Sequence, residues 1–411
     1  MRFNISFNRP SKKELINSLV LSLVLIILGY FANNMALFTG EAVKQYYITN
    51  LIVKDNKVSY GDAVYYNVSY EKELVPVRKG FQTIGNRAIT NRAKLHDFLS
   101  LLQKSNRYKF ILLDIAFDDS DISPSDSALF STIKDCQRLV FVNHDSINFT
   151  RSDIADKAAM ASYYATLWSS NFARYEFLNN NRPSLPLYMY EKINGGKSIN
   201  RYGFKPFYLY FQDGKLCQNS VFLKFDNKTF SHLTHNQGSG LIMDMPPYEN
   251  VGEFLETKSI YGESGLIENL NELTNDKIVV IGNLIDDRHD TYVGEVPGSV
   301  ILMRAYSTLV EQANIVNFFN QLYWFVVFFL VSICIISKKN ILQFNPIINI
   351  NNKNWNIIIE FLLFLVSIIS FSCVLIGCSV IEYLFSNHIY SLMLPIIYFT
   401  LIKLYSQFAK S

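Results

Sequence analysis

The sequence predicts an α/β domain outside the cytoplasm, with one transmembrane helix before it and three after it. Apolar residues are concentrated at the two ends of the 411-residue chain, and the charged fraction of 18% is low beside the usual share of about 25%. The middle of the chain alternates polar stretches with short apolar runs, as α/β domains do. The net charge of +3 is small and spread along the chain, so nothing indicates a nucleic-acid partner.

The first hydrophobic segment covers residues 15–32 and follows a basic tail, residues 1–14. A basic leader before a short apolar run is typical of a signal peptide or of an uncut signal anchor. Residues 31–35 (FANNM) contain no clear small-x-small cleavage site. This favours an anchor that stays attached, with its basic tail inside the cell.

Three further hydrophobic segments lie near the C-terminus, at residues 321–337, 357–385 and 389–404. Basic residues mark cytoplasmic sides of membrane proteins. Lys338, Lys339 and Lys353 therefore place the loop 338–356 inside, and Lys403 and Lys410 do the same for the tail 405–411. Four spans satisfy all these constraints, so residues 33–320 are expected outside.

The outer region begins with the pattern of a parallel βαβ unit. Thr90 is a plausible N-cap for a helix over residues 91–103, and a buried strand follows at 110–115. A helix is predicted over 125–133 and a second strand over 139–143. Strand, helix and strand within such a short stretch favour a parallel sheet.

The rest of the outer region divides into two parts. Residues 177–265 are rich in Tyr, Phe, Gly and Asn, and we expect an irregular, β-rich insertion of strands and loops there. The α/β pattern returns with a strand at 277–282. Pro297-Gly298 then precedes a helix that extends to Gln312, almost directly into the second membrane segment.

Three stretches of this region resemble the CHASE2 sensory domain. Residues 91–99 (NRAKLHDFL) are similar to the Arg-bearing first helix of that family, and residues 109–117 (KFILLDIAF) to its strand ending in Asp. Residues 277–282 (KIVVIG), followed by Asp290-Thr291 and Pro297-Gly298, resemble its last strand and turn. The membrane plan of one helix before the domain and three after it is also similar.

The resemblance implies a sensor in the bacterial cytoplasmic membrane whose domain faces the periplasm or the exterior. The sequence departs from the family in two places. It reads YYNVS at residues 65–69, where the family often has an Asp-rich strand and turn. Only the short tail 405–411 follows the last segment, where family members usually carry a kinase or cyclase. We therefore expect the output of such a sensor on a separate protein.

Acidic side chains follow two of the predicted parallel strands. The carboxyl ends of parallel strands share one edge, where ligands usually bind, so these side chains could form a cation or small-ligand site. The opposing interpretation is that they are solvated loop residues that close turns, with Asp290 holding the Thr291 turn. The predicted ligand-binding residues are Asp114, Asp118, Asp287, His289 and Asp290.

Other motifs carry less information. His232 and His235 are spaced as metal ligands can be, but without a third ligand they fit a polar loop. Gly238 and Gly240 precede no obvious phosphate-binding helix. Cys136 and Cys217 could form a disulfide in an oxidising space. No nucleophile signature accompanies the histidines, so we predict no catalytic residue, no metal and no cofactor.

Two functions remain open. The first is a sensor that binds a small molecule or an envelope partner and signals through its helices. The second is a structural or accessory docking subunit of a bacterial envelope complex; an extracytoplasmic enzyme has the least support. The expected partners are the lipid bilayer, a membrane or envelope protein and a small ligand, and the oligomeric state stays open.

Overall fold

The computed structural model describes residues 10–34, 63–79, 82–144, 151–161, 173–179, 181–196, 198–225, 246–292, 294–336, 353–386 and 392–408. Most of the predicted loop 338–356, along with His232, His235, Gly238 and Gly240, lies outside the described residues. The helices in the described part of the chain are α1 (Lys12–Asn34), α2 (Arg92–Ser105), α3 (Asp126–Asp135), α4 (Leu185–Asn194), α5 (Val251–Glu256), α6 (Lys258–Thr274), α7 (Gly298–Val310), α8 (Phe318–Ile336), α9 (Lys353–Ser386) and α10 (Met393–Phe408).

A six-stranded sheet forms the centre of the α/β fold. Its strands are β1 (Ala63–Asn67), β4 (Phe110–Asp114), β5 (Leu139–Asn143), β6 (Ala158–Met160), β14 (Tyr248–Asn250) and β15 (Ile278–Gly282). They lie in the order β14-β1-β15-β4-β5-β6. Every neighbouring pair is parallel. The prediction of parallel α/β units is confirmed.

The other described strands form small antiparallel sheets. Two-stranded sheets are formed by β2 (Lys72–Lys79) with β3 (Gln82–Thr90), β7 (Arg174–Glu176) with β13 (Ser220–Phe222), β8 (Leu178–Asn179) with β9 (Arg182–Pro183) and β16 (Arg288–Thr291) with β17 (Gly294–Pro297). A three-stranded sheet is formed by β10 (Asn200–Phe204), β11 (Phe207–Gln212) and β12 (Lys215–Cys217).

Alternate residues of the central strands face two different hydrophobic cores. On one side, called here the α7 face, Leu112 and Val280 pack with residues of α4 and α7. On the other, called the α2 face, Leu113 and Ile281 pack with residues of α2, α3, α5 and α6. Strands buried on both faces read as continuous apolar runs, which is why 110–113 and 278–281 were recognisable from sequence.

The structure corrects two details of the sequence analysis. Helix α2 is capped by Asn91, whose side chain accepts a hydrogen bond from Lys94 N, and not by Thr90. The stretch 177–265 does contain the small sheets expected of a β-rich insertion, but it was wrong to expect only strands and loops there. Helices α4 and α5 and the first part of α6 lie within it, and β14 extends the central sheet beside β1.

Within the described residues, two helices are long and apolar enough to cross a membrane, α1 and α8. The predicted third and fourth segments are helical too, as α9 and α10. Leu25, Phe328, Phe371 and Phe399 show that the four helices share one core. Glu382 of α9 lies inside this core and accepts a hydrogen bond from Trp324 Nε1 at 2.6 Å.

The ends of α1 and α8 are joined to the domain by strands β7 and β10 to β13, which together are called here the collar. The Tyr30 hydroxyl donates to Cys217 O at 2.9 Å and accepts from Tyr210 N at 3.0 Å. On the approach to α8, Val316 N donates to Leu216 O at 2.9 Å. Both membrane-length helices therefore connect to the same small sheet.

Cys136 and Cys217 are both buried and are not joined by a disulfide. Cys136 belongs to the core on the α2 face, where its sulfur lies 3.4 Å from the Tyr108 hydroxyl. Cys217 belongs to the core on the α7 face. Because the central sheet separates the two cores, the thiols pack as small apolar groups.

Candidate ligand site at the carboxyl-terminal edge of the sheet

Strand β15 is the point at which the central sheet changes its connections. The chain leaves its neighbours β1 and β4 toward helices α2 and α3 on the α2 face, whereas it leaves β15 toward α7 on the opposite face. Connections that depart to opposite faces leave a crevice at the carboxyl ends of the strands, where ligands of α/β proteins usually bind. A ligand site is therefore expected in a crevice on one of the two flanks of β15.

The last residues of four neighbouring strands form one row along this edge. Asn250 of β14 lies opposite Asn67 of β1, Asn67 opposite Gly282 of β15, and Gly282 opposite Asp114 of β4. The side chains of Asn67 and Asp114 point to the α7 face, because Tyr65 and Leu112, two positions earlier in the same strands, belong to that core. Gly282 thus separates an asparagine flank from an acidic flank.

Gly282 allows Asp114 and the start of α7 to approach each other. A Cβ atom at position 282 would lie 3.1 Å from Asp114 Cβ and 3.4 Å from Ser299 Cβ. Any larger residue would have to displace one of these groups, so the absence of a side chain is what permits the close approach. Asp114 and Ser299 consequently flank the same short stretch of backbone.

Asp114 is the most deeply placed acidic residue of the predicted set, with 8% of its surface exposed. Within the described part of the chain, its carboxyl group has no hydrogen-bond partner. Burial raises the pKa of Asp114 well above its usual range, and the charge of Asp287 raises it further. A neutral carboxyl can both donate and accept a hydrogen bond, so Asp114 is available to a ligand in either role.

Ser299 lies in the first turn of α7 and is 1% exposed. Its hydroxyl has no hydrogen-bond partner among the described residues. Buried polar groups are nearly always paired, so the Ser299 hydroxyl and the Asp114 carboxyl, which flank Gly282, make this flank the candidate ligand site. The amide of Gly298 donates to Asp287 O at 3.1 Å, which fixes the start of the helix beside this pair.

Asp287 and His289 border the site. His289 Nε2 lies 3.5 Å from Asp287 Oδ1, and both side chains are partly exposed. Burial lowers the pKa of His289; Asp287 opposes this shift and the neighbouring His144 adds to it. The imidazole is therefore weakly basic and neutral near pH 7, and a neutral imidazole offers one donor and one acceptor.

The structure brings together only part of the predicted site. Asp287 is an electrostatic neighbour of both Asp114 and His289. Asp118 instead closes a loop turn, where it accepts from Ser120 N at 2.8 Å and from Ser120 Oγ at 2.6 Å. These bonds lower the pKa of Asp118.

Asp290 lies on β16 opposite Glu295 and is exposed. It contributes charge near His289. The turn that follows is closed by another residue, because the Thr291 hydroxyl donates to Gly294 O at 2.6 Å.

The other flank of β15 is closed by a polar network. Asn67 Nδ2 donates to Asn250 Oδ1 at 2.9 Å, and Asn67 Oδ1 accepts from the amides of Ser69 and Leu284, each at 3.1 Å. The Ser69 hydroxyl contacts Asn67 Oδ1 and accepts from Ile285 N at 3.1 Å. These groups bond to one another, so the side chains of Asn67 and Ser69 have hydrogen-bond partners within the described part of the chain.

Sequence reasoning missed Gly282 and Ser299 and did not place His144 in the site. The Pro297-Gly298 signal located the start of α7, but nothing in the sequence shows that Ser299 meets Asp114. Among the described residues, no group of three or more His, Cys, Asp or Glu side chains is arranged to hold a metal ion.

Comparisons with known proteins give no relative for this chain: no protein-family model, no curated protein and no solved structure matches it. The resemblance to the CHASE2 domain thus rests on the three sequence stretches and the order of the helices, and it stays a prediction.

Proposed function

We propose that this chain is a CHASE2-like sensor of the bacterial cytoplasmic membrane. Its α/β domain lies outside the cytoplasm and binds a small polar molecule beside Asp114. The helices α1, α8, α9 and α10 cross the bilayer and relay the bound state to a separate output protein. The basic flanks of these helices support this orientation.

The observation that carries the proposal is the position of α7. Its first turn contains Ser299 at the candidate site, and its end is followed closely by α8. A helix of 13 residues extends about 20 Å, so α7 connects the outer edge of the sheet to the membrane-length helix. A ligand that binds one position of α7 better than another shifts the equilibrium between them.

The two polar groups of the site, the Asp114 carboxyl and the Ser299 hydroxyl, suggest the chemistry of the ligand. Asp114 offers a carboxyl group, and the Ser299 hydroxyl in the first turn of α7 offers a donor for an acceptor or anionic group. An amine or hydroxyl of the ligand would face Asp114, while a carboxylate or carbonyl would face the helix start. Amino acids and related zwitterions carry both kinds of group.

The experiment is thermal unfolding of the full chain in lipid nanodiscs with a panel of free amino acids, polyamines and simple sugars. We expect at least one compound to raise the unfolding midpoint of the wild type, because a ligand that binds only the folded state stabilises it. The variant Asp114→Asn should lose this response. Asp118→Asn serves as the matched control and should keep it, because Asp118 lies in a turn outside the site.

Two results would count against the sensor site. A compound that stabilises the wild type and Asp114→Asn equally binds somewhere else. A panel without any stabilising compound, at concentrations where such zwitterions normally saturate their receptors, would remove the reason to assign a ligand to Asp114.

One observation favours the alternative function, a docking subunit of an envelope complex. The hairpin β2–β3 and the loop after β4 expose Leu74, Ile84 and Ile122, each more than half accessible. Large apolar side chains exposed on one part of a domain are typical of protein interfaces. A mild-detergent pull-down from native membranes would recover the same partner with Asp114→Asn but not with Ile84→Glu, if docking is the function.

A further inference from the structure

The hairpin β10–β11 carries aromatic side chains that the domain does not bury. Tyr202 is 60% exposed, Phe204 69% and Phe207 45%, and Leu209 is also exposed. The two strands pair in regular antiparallel register, which holds these side chains in a fixed arrangement. Soluble domains rarely expose a contiguous group of large apolar residues without a partner. This surface, residues 200–212, is called here the aromatic hairpin.

The aromatic hairpin lies beside the outer end of α1. The rings of Phe31 and Phe207 meet edge to face with centroids 5.2 Å apart. One residue earlier, the Tyr30 hydroxyl accepts from Tyr210 N on β11. The hairpin is therefore at the level where α1 ends and the domain begins, and exposed apolar side chains such as Ile27 lie one turn earlier on α1.

The start of α8 is at the same level. Val316 N bonds to Leu216 O on β12, and β12 pairs with β11 of the hairpin. Two residues later Phe318 and Phe319 are 71% and 75% exposed. Aromatic residues gather where transmembrane segments meet the headgroup region, so two helix ends and one hairpin present the same kind of surface to the same layer.

The hairpin sheet carries more basic than acidic residues, which suits a position beside anionic lipids. Residues 200–217 contain Arg201, Lys205 and Lys215 but only one acidic residue, Asp213. Basic side chains near a bilayer surface are attracted to anionic lipids. The Arg201 guanidinium lies over the Tyr208 ring at 4.2 Å from its centroid, which orders that cation on the hairpin.

We propose that the aromatic hairpin inserts into the headgroup layer of the outer leaflet, with Phe204 and Phe207 at the acyl boundary and Arg201 and Lys205 at lipid phosphates. The occupant of this apolar surface is thus the bilayer. The inference rests on the membrane anchoring in the proposed function and is independent of ligand binding. Its consequence is that the collar, which connects α1 and α8, is held at a fixed depth.

The test uses the full chain in nanodiscs made of phosphatidylcholine and phosphatidylglycerol, with either ordinary or dibrominated acyl chains. Phe204→Trp and Tyr202→Trp place a reporter on the hairpin. Ile84→Trp is the matched control, since Ile84 is similarly exposed but lies on the hairpin β2–β3, which follows the carboxyl end of β1 and contacts the loop after β4 through Arg87 and Asp121. The emission of the parent, which has three tryptophans, is subtracted.

We expect brominated chains to reduce the emission of the Phe204→Trp reporter by about twofold, since interfacial aromatic rings lie near the acyl boundary, and to leave the Ile84→Trp reporter unchanged. Unquenched, red-shifted emission at position 204 would mean exposure to water and would overturn the inference. Blue-shifted emission without quenching would mean that a second copy covers the hairpin, which overturns it equally.

The parent emission separates this inference from the membrane anchoring on which it rests. If the parent is quenched and neither hairpin reporter is, the helices insert and only the hairpin proposal fails. If the parent is not quenched either, the membrane anchoring itself fails. Tyr202→Trp keeps the test valid if Phe204→Trp does not fold.

Discussion

The two flanks of β15 lie side by side along one register row, yet their polar groups are paired in opposite ways. On the flank toward β1, Asn67, Ser69 and Asn250 bond to one another and to nearby backbone amides. On the flank toward β4, Asp114 and Ser299 are also buried, but their side chains have no hydrogen-bond partner among the described residues. The first arrangement stabilises the fold, while the second leaves polar groups available.

This difference in pairing indicates which flank of β15 can bind a ligand. A buried hydrogen bond contributes about 1 kcal/mol, whereas a buried group without a partner costs about 1 to 3 kcal/mol. A fold retains such a cost mainly where another molecule removes it. Both flanks are rich in polar side chains, so composition alone does not distinguish them. They differ in whether those side chains have hydrogen-bond partners.

The largest effect is expected for Asn67→Ala. The substitution removes one side chain that serves the amides of Ser69 and Leu284 and the amide group of Asn250, so several buried groups lose their partner together. We expect the outer domain to lose about 3 kcal/mol of unfolding free energy, measured by urea titration in nanodiscs. Asn86→Ala, on the exposed face of β3, is the control and should cost less than about 0.5 kcal/mol. An equal loss in both variants would contradict the network.

A matched pair of serine variants gives the sharpest comparison of the flanks. Ser69→Ala removes a hydroxyl with several partners and should cost about 1.5 kcal/mol. Ser299→Ala removes a buried hydroxyl without a partner among the described residues and should raise the unfolding free energy by about 1 to 2 kcal/mol, because the cost of that unpaired group is lost. The same urea titration measures both. If the two serines cost the same, the flanks do not differ as described.

The smallest effect, and the one that depends on pH, is expected for Asp114→Asn. The pKa of Asp114 is raised in the folded state by burial and by Asp287, so the folded chain holds a proton that the unfolded chain releases above about pH 4. Stability from this group is therefore greatest below that pH and falls as pH rises through the raised pKa.

Asparagine does not ionise, so Asp114→Asn should remove this dependence and stabilise the domain at pH 8 by about 1 kcal/mol. Unfolding titrations at pH 5 and pH 8 check both statements. A wild type whose unfolding free energy shows the same pH slope as the variant would indicate that Asp114 is not held neutral.

The sheet was predictable because its strands are buried on both faces and read as apolar runs. Residues 110–114, 139–143 and 278–282 were recognised for that reason. Strand β14 was missed because an edge strand of three residues has no periodicity. Helix α4 was missed because Tyr-rich, Pro-containing residues 185–194 do not show the usual polar face.

The candidate site was predictable only in outline. The rule that parallel strands end at one edge was enough to place Asp114, Asp287 and His289 near one another. It did not separate them from Asp118, which the Ser120 hydroxyl and amide hold in a turn. Ser299 could not be found, because its role depends on the contact across Gly282, which is a property of the assembled sheet.

The bonds between α1 and the collar have a consequence for how the protein is made. Tyr210 N, Cys217 O, Asn219 N and the Arg174 guanidinium all find partners on residues Tyr30, Asn33 and Asn34. During synthesis the first helix emerges before the collar does, so the later strands complete their hydrogen bonds on a segment that is already in place. Loss of α1 would leave those groups without these partners, so the helix is part of the folded domain as well as a segment long enough to cross a membrane.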